Sequence, residues 1–87
     1  MKIKKGFVLE KVADSYLCCA TGKLAREFNA FIKLNETGAF LWNLLSVDTE
    51  VSDMVDKMTV EYDISREIAE RDILLFVKKL EENGILA

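Results

Sequence analysis

Hydrophobic and polar residues alternate along the first third of the chain, a pattern typical of β-strands that bury one face. Two such runs extend from Phe7 to Val12 and from Tyr16 to Ala20, and Asp14-Ser15 between them favours a turn. A third run extends from Asn29 to Leu34, where the even-numbered residues are apolar and share one face. The pattern therefore predicts three strands, and it leaves residues 24–28 open between a helical turn and extended chain.

After the third strand, the spacing of apolar residues changes to a helical period. A first helix is predicted from Glu36 to Leu45, because Asn35 is a good N-cap and a dense apolar segment follows it. Asp48 or Thr49 is predicted to cap a second helix. The apolar residues of this second helix recur at the spacing of a helix with one buried face, and they are Val51, Met54, Val55, Met58 and Tyr62.

A third helix is predicted from Arg66 to Asn83, with Ser65 as its N-cap. Gly84 stands where a left-handed residue commonly ends a helix, and Ile85-Leu86 can then fold back over the last turn. The predicted core stripe of this helix consists of Ala69, Ile73, Phe76, Val77 and Leu80.

The order of these elements places a three-stranded antiparallel sheet before three helices, which defines an α+β fold. The helical half is similar to a winged helix-turn-helix, with the sheet placed first. The 87 residues are expected to form one domain spanning residues 1–87, because no proline-rich or glycine-rich linker divides them.

Composition and charge narrow the possible partners. The net charge is −3 and the pI is about 4.9, whereas nucleic-acid binding needs a basic surface. No apolar run approaches the roughly 18 residues of a membrane span. The apolar run after the basic N-terminus is too short for a secretory signal. The protein is therefore expected in the cytoplasm, without nucleic acid or a membrane as its partner.

Side chains that support common catalytic chemistry are scarce. The sequence has no histidine, so the usual neutral-pH acid–base group is missing and no Ser-His-Asp or Cys-His set can form. Cys18 and Cys19 are adjacent, and neighbours on a strand point to opposite faces. We therefore expect one thiol in the core and one outside it, and a vicinal redox pair or a soft-metal site is the alternative. Together these features predict that the protein is not an enzyme.

The segment where the third strand meets the first helix carries the most informative motif. Leu34-Asn35-Glu36-Thr37 is followed by an aromatic-rich helix that contains Trp42. This combination resembles the pyrroloquinoline quinone biosynthesis protein D family. Gly6-Phe7-Val8-Leu9, Glu61-Tyr62-Asp63-Ile64 and the terminal Glu82-Asn83-Gly84-Ile85-Leu86 resemble the same family, so the resemblance covers nearly the whole chain.

The resemblance implies a function in peptide recognition. Members of the family resemble a winged helix-turn-helix and bind the leader of a ribosomally synthesised precursor peptide, which adds as a strand to the third strand. They act as peptide chaperones that present the leader to a maturase, often a radical S-adenosylmethionine enzyme. The implied setting is pyrroloquinoline quinone biosynthesis or the biosynthesis of another modified peptide. Such domains carry no cofactor themselves.

The resemblance places the peptide site on the third strand and the third helix. The unpaired main-chain groups of an edge strand are a template for an added strand, and residues of the helix would form the wall beside it. The predicted strand residues are Asn29, Ala30, Phe31, Ile32 and Lys33. The predicted helix residues are Arg71, Leu74, Leu75, Lys78 and Lys79, whose cations would suit a leader with acidic residues.

Ordinary structural roles stay open for the same residues. Leu74 and Leu75 lie on opposite flanks of the helix and can instead pack against the sheet or a second copy of the chain. The three cations can pair with carboxylates one helical turn away. Trp42 and Asn35 are expected to be structural, as core residue and cap. An exposed third strand leaves a homodimer open, and a winged-helix DNA-binding regulator is the alternative function.

Overall fold

Three strands precede three helices in the computed structural model, which describes residues 1–22 and 32–87. The strands are β1 (Phe7–Val12), β2 (Ser15–Ala20) and β3 (Ile32–Leu34). The helices are α1 (Glu36–Leu44), α2 (Val51–Tyr62) and α3 (Arg66–Glu82). The predicted α+β fold is confirmed. The first residues of the predicted third strand, Asn29, Ala30 and Phe31, lie outside the described residues.

The sheet is antiparallel, with the strands in the order β1-β2-β3. A tight turn joins β1 to β2, since Val12 pairs with Ser15 and Ala13 takes a left-handed φ of 56°. β3 pairs with β2 from Ile32 opposite Cys18 to Leu34 opposite Tyr16. Within residues 1–22 and 32–87, no further strand pairs with the outer side of β3, so β3 is an edge strand.

The N-terminal segment is tied to the C-terminal end of the chain. The Lys4 N–H donates to the carbonyl of Ile85 at 2.7 Å, and the Ala87 N–H donates to the carbonyl of Lys2 at 2.9 Å. Between these bonds, Ile3 and Leu86 form an isolated antiparallel bridge. The two segments therefore lie side by side and close one end of the core.

Asn35 begins α1 as the sequence predicts. Its backbone is extended, and its side-chain oxygen accepts a hydrogen bond from the Gly38 N–H at 2.8 Å. This bond satisfies one of the backbone donors that the first turn of a helix leaves unpaired. Glu36 lies in the same turn, where the helix dipole favours a negative charge.

An Asn35→Ala variant is expected to lose about 1 kcal/mol of unfolding free energy, because the Gly38 N–H then loses its acceptor. Urea denaturation followed by circular dichroism measures the loss. Asn35→Asp is the matched control, since a carboxylate accepts the same bond and should keep the stability close to that of the wild type. An Asn35→Ala variant as stable as the wild type would show that the side-chain cap contributes nothing.

The predicted cap of α2 is wrong. The N-cap is Glu50, which makes no side-chain capping hydrogen bond, rather than Asp48 or Thr49. The Asp48 carboxylate instead accepts from the N-terminal ammonium of Met1 at 2.6 Å, and the Thr49 N–H donates to the Met1 carbonyl at 2.9 Å. Met1 thus holds the Asp48 carboxylate that would otherwise be free to cap, and α2 begins at Val51.

The ends of α3 are confirmed. The Ser65 hydroxyl accepts from the Ile68 N–H at 3.3 Å, and Gly84 takes a left-handed φ of 69°. This turn lets the Ile85 N–H donate to the carbonyl of Leu80 at 2.9 Å and buries the Ile85 side chain. The fold-back over the last turn matches the prediction.

The core lies where the three helices meet one another and the inner face of the sheet. α1 contributes Trp42 to this core as predicted, and the side chain is only 6% exposed. Phe40 packs edge-on against Tyr62 of α2, with the ring centroids 5.4 Å apart. The largest fully buried side chains are Leu41, Leu45, Met54, Met58, Ile73 and Leu80. Of the predicted stripe of α3, Ala69, Ile73 and Leu80 are buried, while Phe76 and Val77 are half-buried.

The two adjacent cysteines divide as predicted: Cys18 is buried and Cys19 is half-buried. Burial, with a smaller contribution from the neighbouring Cys19, raises the pKa of the Cys18 thiol to about 11. Both thiols are free. A thiol that is buried and protonated is a poor nucleophile, so this arrangement disfavours a vicinal redox pair.

Alkylation of Cys18 by iodoacetamide at pH 8 is expected to be more than about 100-fold slower in the folded chain than in urea. In the folded chain the side chain is buried, and only a small fraction of it is in the reactive thiolate form. Mass spectrometry of a Cys19→Ser variant measures this rate, because Cys18 is then the one thiol left to react. The converse variant, Cys18→Ser, reports Cys19 for comparison. If Cys18 reacted equally fast with and without urea, it would have to be open to solvent.

Candidate functional site

Two adjoining cavities border β3 and the start of α1 on one side and α3 on the other. Their volumes are about 440 Å³ and 330 Å³, and both are lined by Asn35, Gly38 and Phe76. We call them together the β3–α3 groove. The other residues of the larger cavity are Asp14, Ser15, Lys33, Leu34 and Lys79. The other residues of the smaller cavity are Thr37, Leu41, Asp72 and Leu75.

Gly38 is suited to its position beside the groove, because any side chain there would crowd the turn from β3 into α1. A Cβ at this position would lie 3.2 Å from the Leu34 Cβ and 3.3 Å from the Asn35 side-chain oxygen. Leu34 ends the strand and is buried, while Asn35 caps the helix. The Leu34-Asn35-Glu36-Thr37 motif therefore forms the tight junction between β3 and α1, and this junction borders the groove.

One stripe of α3 forms the opposite wall. Asp72, Leu75, Phe76 and Lys79 recur at i, i+3, i+4 and i+7, so they share one side of the helix. Leu75 is 63% exposed, although it is a large apolar residue, and Phe76 is half-buried beside it. The wall thus offers apolar surface to water between two charged residues.

Charge is unevenly distributed along the groove. Lys33 of β3 and Lys79 of α3 both line the larger cavity, together with Asp14 of the β1–β2 turn. Asp72 lies in the smaller cavity, and its carboxylate is 3.6 Å from the Arg71 Nε. The larger cavity is therefore the more positive end of the groove.

The structure brings together only some of the residues predicted from sequence. Lys33, Leu75 and Lys79 line the β3–α3 groove, and Ile32 lies on β3 beside it. Leu74 and Arg71 lie on another side of α3, in a separate cavity of about 380 Å³ with Glu67 and Glu70.

The remaining predicted residues lie near the end of α3 or outside the described part of the chain. Lys78 faces Glu82, with 3.9 Å between ammonium and carboxylate, at the helical spacing expected of an ordinary surface pair. Asn29, Ala30 and Phe31 lie outside the described residues.

Sequence reasoning missed part of the groove. Phe76 belongs to the predicted core stripe and does pack against the core, but it also lines both cavities, and neither Asp72 nor Gly38 is among the predicted site residues. The signal for the wall was present in the spacing of Asp72, Leu75, Phe76 and Lys79. A helical wheel does not show which side of a helix faces a distant strand, so this stripe could not be chosen over its neighbours.

The groove coincides with the part of the chain that matches a known family. The family model described as Coenzyme PQQ synthesis protein D (PqqD) matches residues 20–86. The chain belongs to the PqqD family. The resemblance inferred from the Leu34-Asn35-Glu36-Thr37 motif is thereby confirmed. Apart from Asp14 and Ser15, every residue that lines the β3–α3 groove falls within the region matched to PqqD.

Two solved structures share the fold of this PqqD-family chain. One is described as TbiB1 in complex with the TbiA(beta) leader peptide, with 24% identity, a TM-score of 0.78, and coverage of 99% of this chain and 94% of that chain. The other is a lasso peptide synthetase B1 complexed with the leader peptide, with 25% identity, a TM-score of 0.75, and coverage of 97% and 93%. The comparison with curated proteins finds no match.

The described part of this PqqD-family member holds neither a metal-binding cluster nor a membrane-spanning helix. Across residues 1–22 and 32–87, no group of three or more Cys, Asp or Glu side chains is placed to hold a metal ion. In the same residues, no helix is both long enough and apolar enough to span a membrane.

Proposed function

We propose that this chain is a non-catalytic recognition module that binds the leader of a ribosomally synthesised precursor peptide. The observation that carries the proposal is the position of the edge strand β3 beside the β3–α3 groove. An edge strand supplies unpaired main-chain groups, and the adjoining apolar wall supplies a place for side chains. Membership of the PqqD family supports it, as do two proteins of the same fold that are described in complex with leader peptides.

In this proposal, the leader adds as a further strand to the outer side of β3, along Ile32 and Lys33 and the preceding residues Asn29, Ala30 and Phe31. Main-chain hydrogen bonds supply affinity that depends little on sequence. Every second side chain of an added strand points to the same face, so alternate residues of the leader would enter the groove against Leu75 and Phe76. Covering this apolar surface supplies affinity that does depend on sequence.

The wider setting is also part of the proposal. Residues 1–87 act as one unit that holds the leader without a cofactor and presents it to a maturase, for which a radical S-adenosylmethionine enzyme is one candidate. The cytoplasm is the proposed location, since ribosomal precursors are made there. Without a leader, β3 can pair with β3 of a second copy, so a homodimer is a competing use of the same edge.

A DNA-binding regulator is less well supported. The comparisons do not favour it, and the net charge of −3 opposes contact with phosphates. Exposed carboxylates line the water-facing side of α2, including Asp53, Asp56 and Glu61. A winged-helix regulator would need basic residues over a comparable surface.

Crosslinking in native cell extract tests the proposed function. The tagged chain is purified under mild crosslinking, and mass spectrometry identifies what is attached. We expect a short ribosomal peptide, with or without a maturase. Recovery of nucleic acid or of unrelated large proteins alone would contradict the proposal.

Titration of the recovered peptide into the ¹⁵N-labelled chain then locates the site. We expect the amide signals of Ile32, Lys33, Leu75 and Phe76 to shift and that of Val60 on α2 to stay in place. Shifts confined to α2 would show that the peptide binds elsewhere.

A further inference from the structure

The basic residues near the groove fall into two groups. Arg71 and Lys78 each have a carboxylate within ion-pair distance, at 3.6 Å (Asp72) and 3.9 Å (Glu82). Lys33 and Lys79 make no ion pair within residues 1–22 and 32–87, and both line the larger cavity of the β3–α3 groove. Two lysines, one from each wall, therefore line one space, and neither is paired with a carboxylate of the described residues.

Asp14 reduces the net positive charge of the larger cavity. It lines the same cavity from the β1–β2 turn, and it pairs with neither lysine among the described residues. Counted over the described residues, the two lysines and Asp14 leave this cavity with one excess positive charge. A guest that brings one carboxylate would neutralise the cavity, whereas a guest that brings a cation would be repelled.

The smaller cavity favours an apolar side chain rather than a carboxylate. Its charged residue is Asp72, whose carboxylate is close to Arg71, and the remaining surface includes Leu75, Phe76 and the buried Leu41. A guest carboxylate placed here would meet a like charge and apolar carbon. An apolar side chain would cover exposed apolar surface instead. The two ends of the groove thus differ in the side chain they accept.

We infer that the β3–α3 groove selects leaders that carry an acidic side chain for the Lys33–Lys79 end and an apolar side chain for the Leu75–Phe76 end. This inference rests on the proposed leader-binding function and names the class of peptide it acts on. Because the two cavities share Asn35, Gly38 and Phe76, the two side chains belong to one short stretch of an extended peptide. Side chains two residues apart on a strand point to the same face and suit this arrangement.

A random-peptide display library tests the inference even while the natural leader is unidentified. The library is selected on the whole chain at low salt, and the enriched peptides are sequenced. We expect enrichment of Asp or Glu a few residues from an apolar or aromatic residue. A synthetic peptide from the selection then provides the probe for affinity measurements.

The double variant Lys33→Glu/Lys79→Glu should bind this probe about tenfold more weakly at low salt, because two favourable charge contacts become repulsive. The loss should shrink in high salt, which screens exposed charges. Lys4→Glu/Lys5→Glu is the matched control. It has the same net charge, and its substitutions are exposed and outside the groove, so its affinity should stay near that of the wild type. Urea denaturation of each variant confirms that the chain is folded.

The possible outcomes separate this inference from the proposed function. Enriched peptides without acidic residues, bound equally well by the Lys33→Glu/Lys79→Glu variant, would overturn the inference and leave leader binding intact. Equal losses in test and control variants would also overturn it, since net charge alone would then explain the effect. A selection that enriches no peptide would overturn both.

Discussion

A Leu75→Glu variant is expected to bind its leader at least about 100-fold more weakly than the wild-type chain. Leu75 is 63% exposed and lies in the smaller cavity of the groove, near Asp72. In the proposed complex, glutamate would remove apolar surface that the leader covers and would force a carboxylate into a contact that excludes water. Fluorescence anisotropy with the crosslinked leader, or with a peptide from the display selection, measures the loss. The variant should stay folded, because the wild-type side chain is mostly in solvent.

Leu74→Glu provides the matched control. Leu74 is the preceding residue on the same helix and is 48% exposed, but it lies in the cavity lined by Glu67, Glu70 and Arg71. The same substitution there should change the affinity by less than about threefold, as is usual for a surface residue without a special contact. Similar losses in the two variants, or normal binding by Leu75→Glu, would show that the β3–α3 groove does not hold the leader.

A Trp42→Ala variant is expected to lose about 3–5 kcal/mol of unfolding free energy. Trp42 is 6% exposed and packs in the core, so its removal leaves a cavity that the neighbouring helices cannot fill. Urea denaturation followed by circular dichroism measures the change. Trp42→Phe is the control, because it keeps an aromatic ring and should retain a large part of the stability.

The Trp42→Ala variant also separates a structural role from a binding role for this residue. The core of so small a domain supplies only about 3–5 kcal/mol of stability, so a loss of similar size leaves the variant partly unfolded. Its apparent affinity should fall only in proportion to the unfolded fraction, and excess leader should draw the chain back to the folded state. A fully folded Trp42→Ala chain that failed to bind would instead place Trp42 in the peptide site.

The elements that depend on local chemistry could be predicted from the sequence. Asn35 and Ser65 cap their helices because a short polar side chain reaches the backbone three residues ahead, which involves no distant residue. Gly84 ends α3 for an equally local reason, since only a left-handed backbone lets Ile85 turn back. The alternation of the first strand pair likewise predicts that Cys18 and Cys19 lie on opposite faces, but only the structure shows that Cys18 is the buried one.

The errors concern contacts between residues far apart in sequence. Asp48 has the chemistry of a cap, but the N-terminal ammonium, 47 residues away, takes its carboxylate. Phe76 belongs to the apolar stripe of α3, and it lines a groove only because β3 and α1 lie where they do. The periodicity of a helix defines its faces, but which face meets which strand is decided by packing of the whole chain.

The side-by-side arrangement of residues 2–4 and 85–87 has a consequence for how this fold can be joined to other proteins. A polypeptide that enters at residue 1 and leaves at residue 87 does so at nearly one point, and neither segment lines the β3–α3 groove. The fold is therefore suited to being carried as an insert in a surface loop of a larger enzyme, or fused at either end. In each arrangement the linker would join the fold at the same end, away from the groove.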